Sequence, residues 1–303
     1  MNFDPNDQQA EILNGLEQLI SATATEPPME GAFSAWSAPL DAALDEAGYL
    51  AIVGSGFELI DGALVVDRLA RLAVSVEAAI SILIAPAAGV DLPRPFALTS
   101  GSALSPARFL PIARTLFVDQ GDAFLAVEVH PDNVEPIETV FAYPYGRLKS
   151  LDGASMITLP DAAALRRRWR IANAVEAAGL MQAALELVLD HVRTRRAFGK
   201  PLGAFQAIQH RLVMAAEVSE SSRWLGLKAA WSDSELDAAT AAAFVQDSIP
   251  RFVTDLHQFC GAMGLTLEFP LHYWTYRLRA LVGELGGSSA QARATAQAAW
   301  CDA

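Results

Sequence analysis

Arg195-Arg196-Ala197-Phe198-Gly199-Lys200-Pro201-Leu202 separates two long runs of helical periodicity. One helix is expected from about Asp161 to Arg195 and a second from about Leu202 to Trp231. Between them, glycine and proline spaced two apart mark a short connection, so the two helices return antiparallel. A third helix starts after Ser232-Asp233-Ser234 and carries Pro250, where a kink is expected. A fourth starts near Phe269-Pro270. Gly286-Gly287 breaks it, and Ser288 or Ser289 caps a last helix. Four long helices, each with an apolar stripe, predict a bundle over residues 160–303.

Upstream of this region the pattern changes. Prolines at 93, 95, 106, 111, 131, 136 and 144 interrupt residues 92–159. Thr115–Val118 and Ala123–Val129 flank Asp119-Gln-Gly-Asp122, a hairpin signature, and Val134–Phe141 reads as another strand. A reduced β-domain of about four strands is expected there. In residues 1–91, Asp4 is placed to cap a first helix, Pro5 to open it and Phe3 to pack back on it. Ile12, Leu13, Leu16, Leu19 and Ile20 form its apolar stripe. A second helix fits Pro39–Ala47, and a third runs from about Glu58 to Ile84. The fold class is mainly α with a small β-region, in three domains: 1–91, 92–159 and 160–303.

Composition narrows the function. Of 303 residues, 52% are hydrophobic and 19% charged, which supports a large core and excludes global disorder. The net charge of −13 argues against nucleic-acid binding. Yet eight of the 22 Lys and Arg lie between Arg166 and Lys200, a local basic patch suited to an anionic substrate. Cys260 and Cys301 make no disulfide framework, which points to a reducing compartment. The N-terminus is polar and acidic, unlike a signal peptide. The apolar window Leu72–Val90 contains Glu77 and Pro86 and reads as buried rather than membrane-spanning. A cytoplasmic protein with no membrane partner is expected. Histidines 130, 191, 210, 257 and 272 lack zinc spacing, so they read as surface or core groups and no metal is expected. Val53-Gly54-Ser55-Gly56-Phe57 reads as a loop.

Three segments carry a family resemblance. Val175-Glu-Ala-Ala-Gly179-Leu-Met-Gln182, the motif Arg195-x-x-Phe198-Gly199-Lys200-Pro-Leu202-x-x-Phe205-Gln206-x-x-Gln209, and Gln258-Phe-Cys-Gly261-Ala262-Met-Gly264 occur in matching order. Together they resemble the C-terminal domain of the acyl-CoA dehydrogenases. The resemblance implies an N-terminal helical layer, a middle β-domain and a C-terminal four-helix bundle. It implies FAD as cofactor, an acyl-CoA substrate and an electron-transfer flavoprotein or similar acceptor. Arg195 would reach the flavin diphosphate of a neighbouring subunit, with Phe198, Leu202, Phe205, Gln206, Gln258, Gly261 and Ala262 beside the cofactor. Guanidinium suits that role because it stays charged and forks onto phosphate oxygens. Arg170 matches the family's arginine beside the substrate cavity, and Arg166-Arg-Arg-Trp-Arg170 either faces CoA phosphates or forms a solvated helix face.

Two family features are missing. The catalytic glutamate customarily stands where this chain has Gly286 or Trp169. Glu284, two residues before the first of these, is the nearest substitute. The segments that hold the flavin ring are not found in residues 92–160. The pattern resembles the shortened subunit of heterotetrameric acyl-CoA dehydrogenases that act on bulky substrates such as steroid side-chain thioesters, paired with a larger subunit. Two alternatives stand beside it: a complete homo-oligomeric dehydrogenase with Glu284 as base, and a non-catalytic scaffold for a partner enzyme.

Overall fold

The computed structural model describes residues 5–23 and 35–301. Helix α1 (Asp7–Ala22) starts two residues beyond Pro5, because Asn6 caps it. The Asn6 side chain accepts from Gln9 N at 2.9 Å, and Gln9 Oε1 accepts from Asn6 N at 3.0 Å. Phe3 and Asp4, expected to staple and cap this helix, lie outside the described residues. Helices α2 (Ala38–Glu46) and α3 (Leu59–Ala70) complete the N-terminal layer.

The single helix expected from Glu58 to Ile84 does not form. Its first part stops at Ala70, the chain extends so that Trp36 bridges Ser75, and only then do a π-helical turn (Ile80–Ile84) and a 3-10 turn (Ala85–Ala88) follow. Distant donors take over the helix carbonyls at the break. Trp274 Nε1 donates to Arg71 O at 2.9 Å, and Arg277 donates to the carbonyls of Leu72 and Val74. The fully buried Glu77 then organises the next turn. Its carboxylate accepts Ser81 N (3.0 Å), Ser81 Oγ (2.6 Å) and Phe96 N (3.1 Å).

The β-region holds seven strands rather than four, in two sheets. In the first, β1 (Phe96–Ser100) runs parallel to β3 (Thr115–Asp119), which pairs antiparallel with β4 (Phe124–Glu128), followed by β7 (Met156–Leu159). The second is β2 (Ala107–Arg108), β6 (Tyr145–Leu148) and β5 (Val134–Ile137). The expected hairpin closes Asp119 on Phe124, with Gly121 at φ +93°. Alternation along the first sheet divides two cores. Phe96, Leu98, Phe117 and Phe124 join the helices, whereas Ala97, Leu116, Val118 and Val127 face the second sheet's Val134 and Leu148.

The C-terminal helices are α4 (Ala162–Thr194), α5 (Gln206–Ser232), α6 (Glu235–Cys260), α7 (His272–Val282) and α8 (Gly287–Trp300). Helix α6 continues through Pro250, and Gly286, not a serine, occupies the cap of α8. Among the described residues α4 alone is long and apolar enough to cross a membrane, yet 83% of its apolar window is buried inside the molecule. Gly179 explains how closely α3 crosses it: a Cβ there would stand 2.4 Å from Asp67 O. The whole is a mainly helical fold with a small β-region beside a helical bundle.

Candidate functional site

Arg195 caps α4, and its motif folds into a two-residue hairpin. Ala197 pairs with Lys200, and Phe198 (φ +52°) and Gly199 (φ +83°) form the turn. Leu202 N donates to Arg195 O at 2.8 Å, which folds Leu202 back under the end of the helix. Across from this turn, α6 ends at Cys260, and Gly261 breaks it at φ +59°, with nothing within 4 Å of where a Cβ would be. Between the two ends lies an open groove of ≈ 530 Å³. Arg195, Leu202, Gln258, Gly261 and Ala262 line it, so five of the eight residues expected at a cofactor edge come together. His191 and Arg211, which the motif comparison did not single out, line it as well. Their signal in the sequence is spacing: His191 lies one helical turn before Arg195.

Phe198, Phe205 and Gln206 stand elsewhere. Phe198 is 95% exposed, its ring 6.2 Å from Phe205 in an edge-on contact, and Lys200 Nζ lies 4.2 Å from the Phe205 centroid. Gln206 opens α5 in solvent.

The groove is electropositive. Arg195 makes no ion pair among the described residues. Arg211 pairs with Asp255 and stacks over Phe259, 5.2 Å from the ring centroid. Burial pushes the Cys260 thiol up to about 11, so it stays protonated.

The basic run upstream is already committed. Arg166 binds Asp119, Arg167 and Arg168 share Asp233, and Arg170 donates to Gln291 Oε1 at 2.7 Å and pairs with Glu235. Arg170, expected beside a substrate, is instead buried in ties between α4, α6 and α8. All four guanidinium groups of the run are thus engaged within the chain.

Glu284 sits where the sheets meet the bundle. Left-handed Leu285 (φ +57°), Gly286 and Gly287 turn the chain sharply there. Glu284 Oε1 accepts from Arg108 Nε at 2.8 Å. Its Oε2 accepts from Trp169 Nε1 at 2.8 Å and Asn173 Nδ2 at 3.2 Å. Arg108 also donates through Nη1 to Glu176 Oε1 at 2.9 Å, and Tyr143 Oη donates to that same oxygen at 2.8 Å. Burial alone would lower the Arg108 pKa, but the field of Glu176 and Glu284 outweighs it and holds the guanidinium charged. The cavity reaching Glu176 and Arg277 is only ≈ 10 Å³, no more than one water centre.

These residues fit one edge of a dinucleotide, with a free guanidinium, a glycine-opened backbone and an apolar wall. At the junction of sheets and bundle, side chains leave only that ≈ 10 Å³ cavity.

Comparison with known proteins agrees with this layout. Residues 167–299 match the family described as acyl-CoA dehydrogenase, C-terminal domain. The acyl-CoA dehydrogenase FadE28 of Mycobacterium tuberculosis is 30% identical over 189 residues, covering 57% of this chain and 55% of FadE28. The chain thus spans about half the length of this curated relative. The ChsE4–ChsE5 complex from Mycobacterium tuberculosis contains a chain of like fold, with a TM-score of 0.77, 18% identity and coverage of 98% of both chains. A variant of the Tcur3481–Tcur3483 steroid ACAD gives a TM-score of 0.79 at 20% identity, covering 97% of this chain and 98% of that one. At such identities the likeness is one of fold. Residues 167–299 thus resemble the C-terminal domain of the acyl-CoA dehydrogenases, and the whole chain has the mainly helical fold of these solved structures.

Proposed function

We propose that the chain is one subunit of a heteromeric, FAD-dependent acyl-CoA dehydrogenase and supplies the diphosphate edge of a flavin site completed by a larger partner subunit. The observation that carries this reading is the unpaired Arg195 in an open groove, while the four arginines of the nearby run are all spent on internal ion pairs. Arg195 holds the diphosphate, Leu202 packs beside it, Gln258 hydrogen-bonds it, and Gly261 and Ala262 let the backbone approach. When bound, FAD supplies the hydride acceptor for α,β-desaturation of an acyl-CoA. The exposed Phe198, held in a left-handed conformation that costs a bulky residue about 1–2 kcal/mol, is a surface for the partner to cover.

The same geometry weighs against Glu284 as a base. A base must reach its proton directly, and both Glu284 oxygens are engaged, one by a guanidinium. The partner then carries the base. Solved structures of like fold named for pairs of chains, one of them a steroid ACAD, support a bulky acyl-CoA as substrate and a heteromer as the working form.

The test is co-expression with a larger acyl-CoA dehydrogenase subunit as partner, followed by flavin absorbance and acyl-CoA turnover. The complex is expected to be yellow and active, and Arg195→Ala to strip flavin from it. A yellow, active protein from this chain alone would overturn the reading. An unchanged flavin content in the Arg195→Ala complex would favour a scaffold role instead.

A further inference from the structure

The last turn of α4 presents His191 and Arg195 to the groove from one face. His191 differs from the two histidines near α7. His257 has both ring nitrogens engaged, Nδ1 at 2.8 Å from Gly264 O and Nε2 at 3.0 Å from Thr275 Oγ1. His272 turns Nδ1 to Phe269 O at 3.1 Å. The half-buried His191 has no hydrogen-bond partner on either nitrogen among the described residues. Its ring packs edge-on against Phe269, with centroids 5.3 Å apart and planes at 65°. Packing therefore fixes the ring while its polar atoms stay free beside an unpaired guanidinium.

We propose that His191 is a phosphate-binding residue, donating a ring N–H to the diphosphate held by Arg195 and taking up one proton from solvent as that anion binds. This rests on the groove being a dinucleotide edge. No covalent bond changes; the proton joins the second ring nitrogen and is released when the ligand leaves. In the empty groove, burial and then the Arg195 charge hold the imidazole below its ordinary pKa, so it is neutral at neutral pH. A diphosphate reverses the second effect and favours the imidazolium. Affinity is therefore greatest below the empty-groove pKa and declines as pH rises through the bound-state pKa.

The surrounding charges do not supply this dependence. Arg195 on α4 and Arg211 on α5 stay cationic, with Asp255 on α6 committed to Arg211. Cys260 stays a thiol. Asp190 and Arg193 pair with each other at 3.2 Å. His272, behind Phe269, and His210 on α5 do not line the groove.

The test uses the full chain with ADP-ribose, whose diphosphate is a diester of constant charge across the range. NMR of the histidine ring protons follows each imidazole from pH 5 to 8.5 with and without ligand, and His191→Gln assigns the resonance. The His191 midpoint is expected to rise by about one pH unit on saturation, which makes binding roughly tenfold tighter below both midpoints than above them. His191→Gln should flatten that dependence, and His210→Gln should leave it intact. Binding that is lost in Arg195→Ala but leaves the His191 midpoint unmoved would overturn the proposal and spare the groove. Failure of ADP-ribose to bind at any pH would overturn the proposal, while the subunit reading is decided separately by the flavin content of the co-expressed complex.

Discussion

Arg108 and Arg195 show two fates of the same side chain. Arg108 is 4% exposed and enclosed by Glu176, Glu284 and Tyr143, so its charge is neutralised inside the protein. Arg195 meets solvent and a groove. Only the second was legible in the sequence, because a short local motif announces it. The first was hidden because Arg108 meets its carboxylates across 68 and 176 residues, and no local pattern encodes such a pairing. For the same reason the sequence left Glu284 as the nearest substitute for the base, although its carboxylate is already engaged by Arg108 and Trp169. Glu284→Gln in the assembled enzyme is expected to leave turnover within about threefold, because ΔΔG‡ below about 0.7 kcal/mol is what an uninvolved residue gives. Arg108→Met should lower unfolding stability by about 3–5 kcal/mol, since it strands two buried carboxylates. Denaturation midpoints and steady-state rates measured on the same samples separate the two effects. Loss of turnover in a fully folded Glu284→Gln enzyme would restore it as the base.

At the level of elements, the long helices and the β3–β4 hairpin could be read directly, because helical periodicity and the Asp119-Gln-Gly-Asp122 turn are local signals. Strands β1, β2, β6 and β7 were not placed; they are two to five residues long and pair with partners distant in the sequence. The broken third helix was missed because Trp274 and Arg277, over 200 residues away, satisfy its carbonyls. Gly179, read as part of a family motif, is a spacer between α3 and α4. Gly179→Ala is expected to cost about 1–3 kcal/mol, visible as a lower melting temperature, because the Asp67 backbone must move. Glu77 makes stability depend on pH. Burial raises its pKa from the usual 4.5 to about 7, so the folded state keeps a proton that the unfolded chain has lost. Stability from this group is full below pH 4.5 and declines as pH rises through 7, by about 3 kcal/mol in all at about 1.36 kcal/mol per pH unit. Chemical denaturation from pH 4.5 to 8 should show that slope, and Glu77→Gln should flatten it. An unchanged slope would assign it to other groups.

Across the whole molecule, the fold is like that of solved acyl-CoA dehydrogenases, and the open groove lies apart from the buried carboxylate cluster. The junction near the middle of α4 is packed shut by Trp169, Asn173 and Glu176, and the groove opens at the helix's C-terminal end beside His191 and Arg195. This stretch of α4 therefore acts as a measuring rod. At 1.5 Å of rise per residue, the 19 steps from Glu176 to Arg195 span about 28 Å. Perturbations at the rod's two ends should be independent, so Arg195→Ala and Arg108→Met should combine in stability to within about 0.5 kcal/mol of their sum. A larger coupling would show that the ends communicate. The rod also sets a reach: a phosphate resting on Arg195 would be anchored nearly three nanometres from Glu176, about 28 Å along the helix, so only a ligand at least that long could touch both.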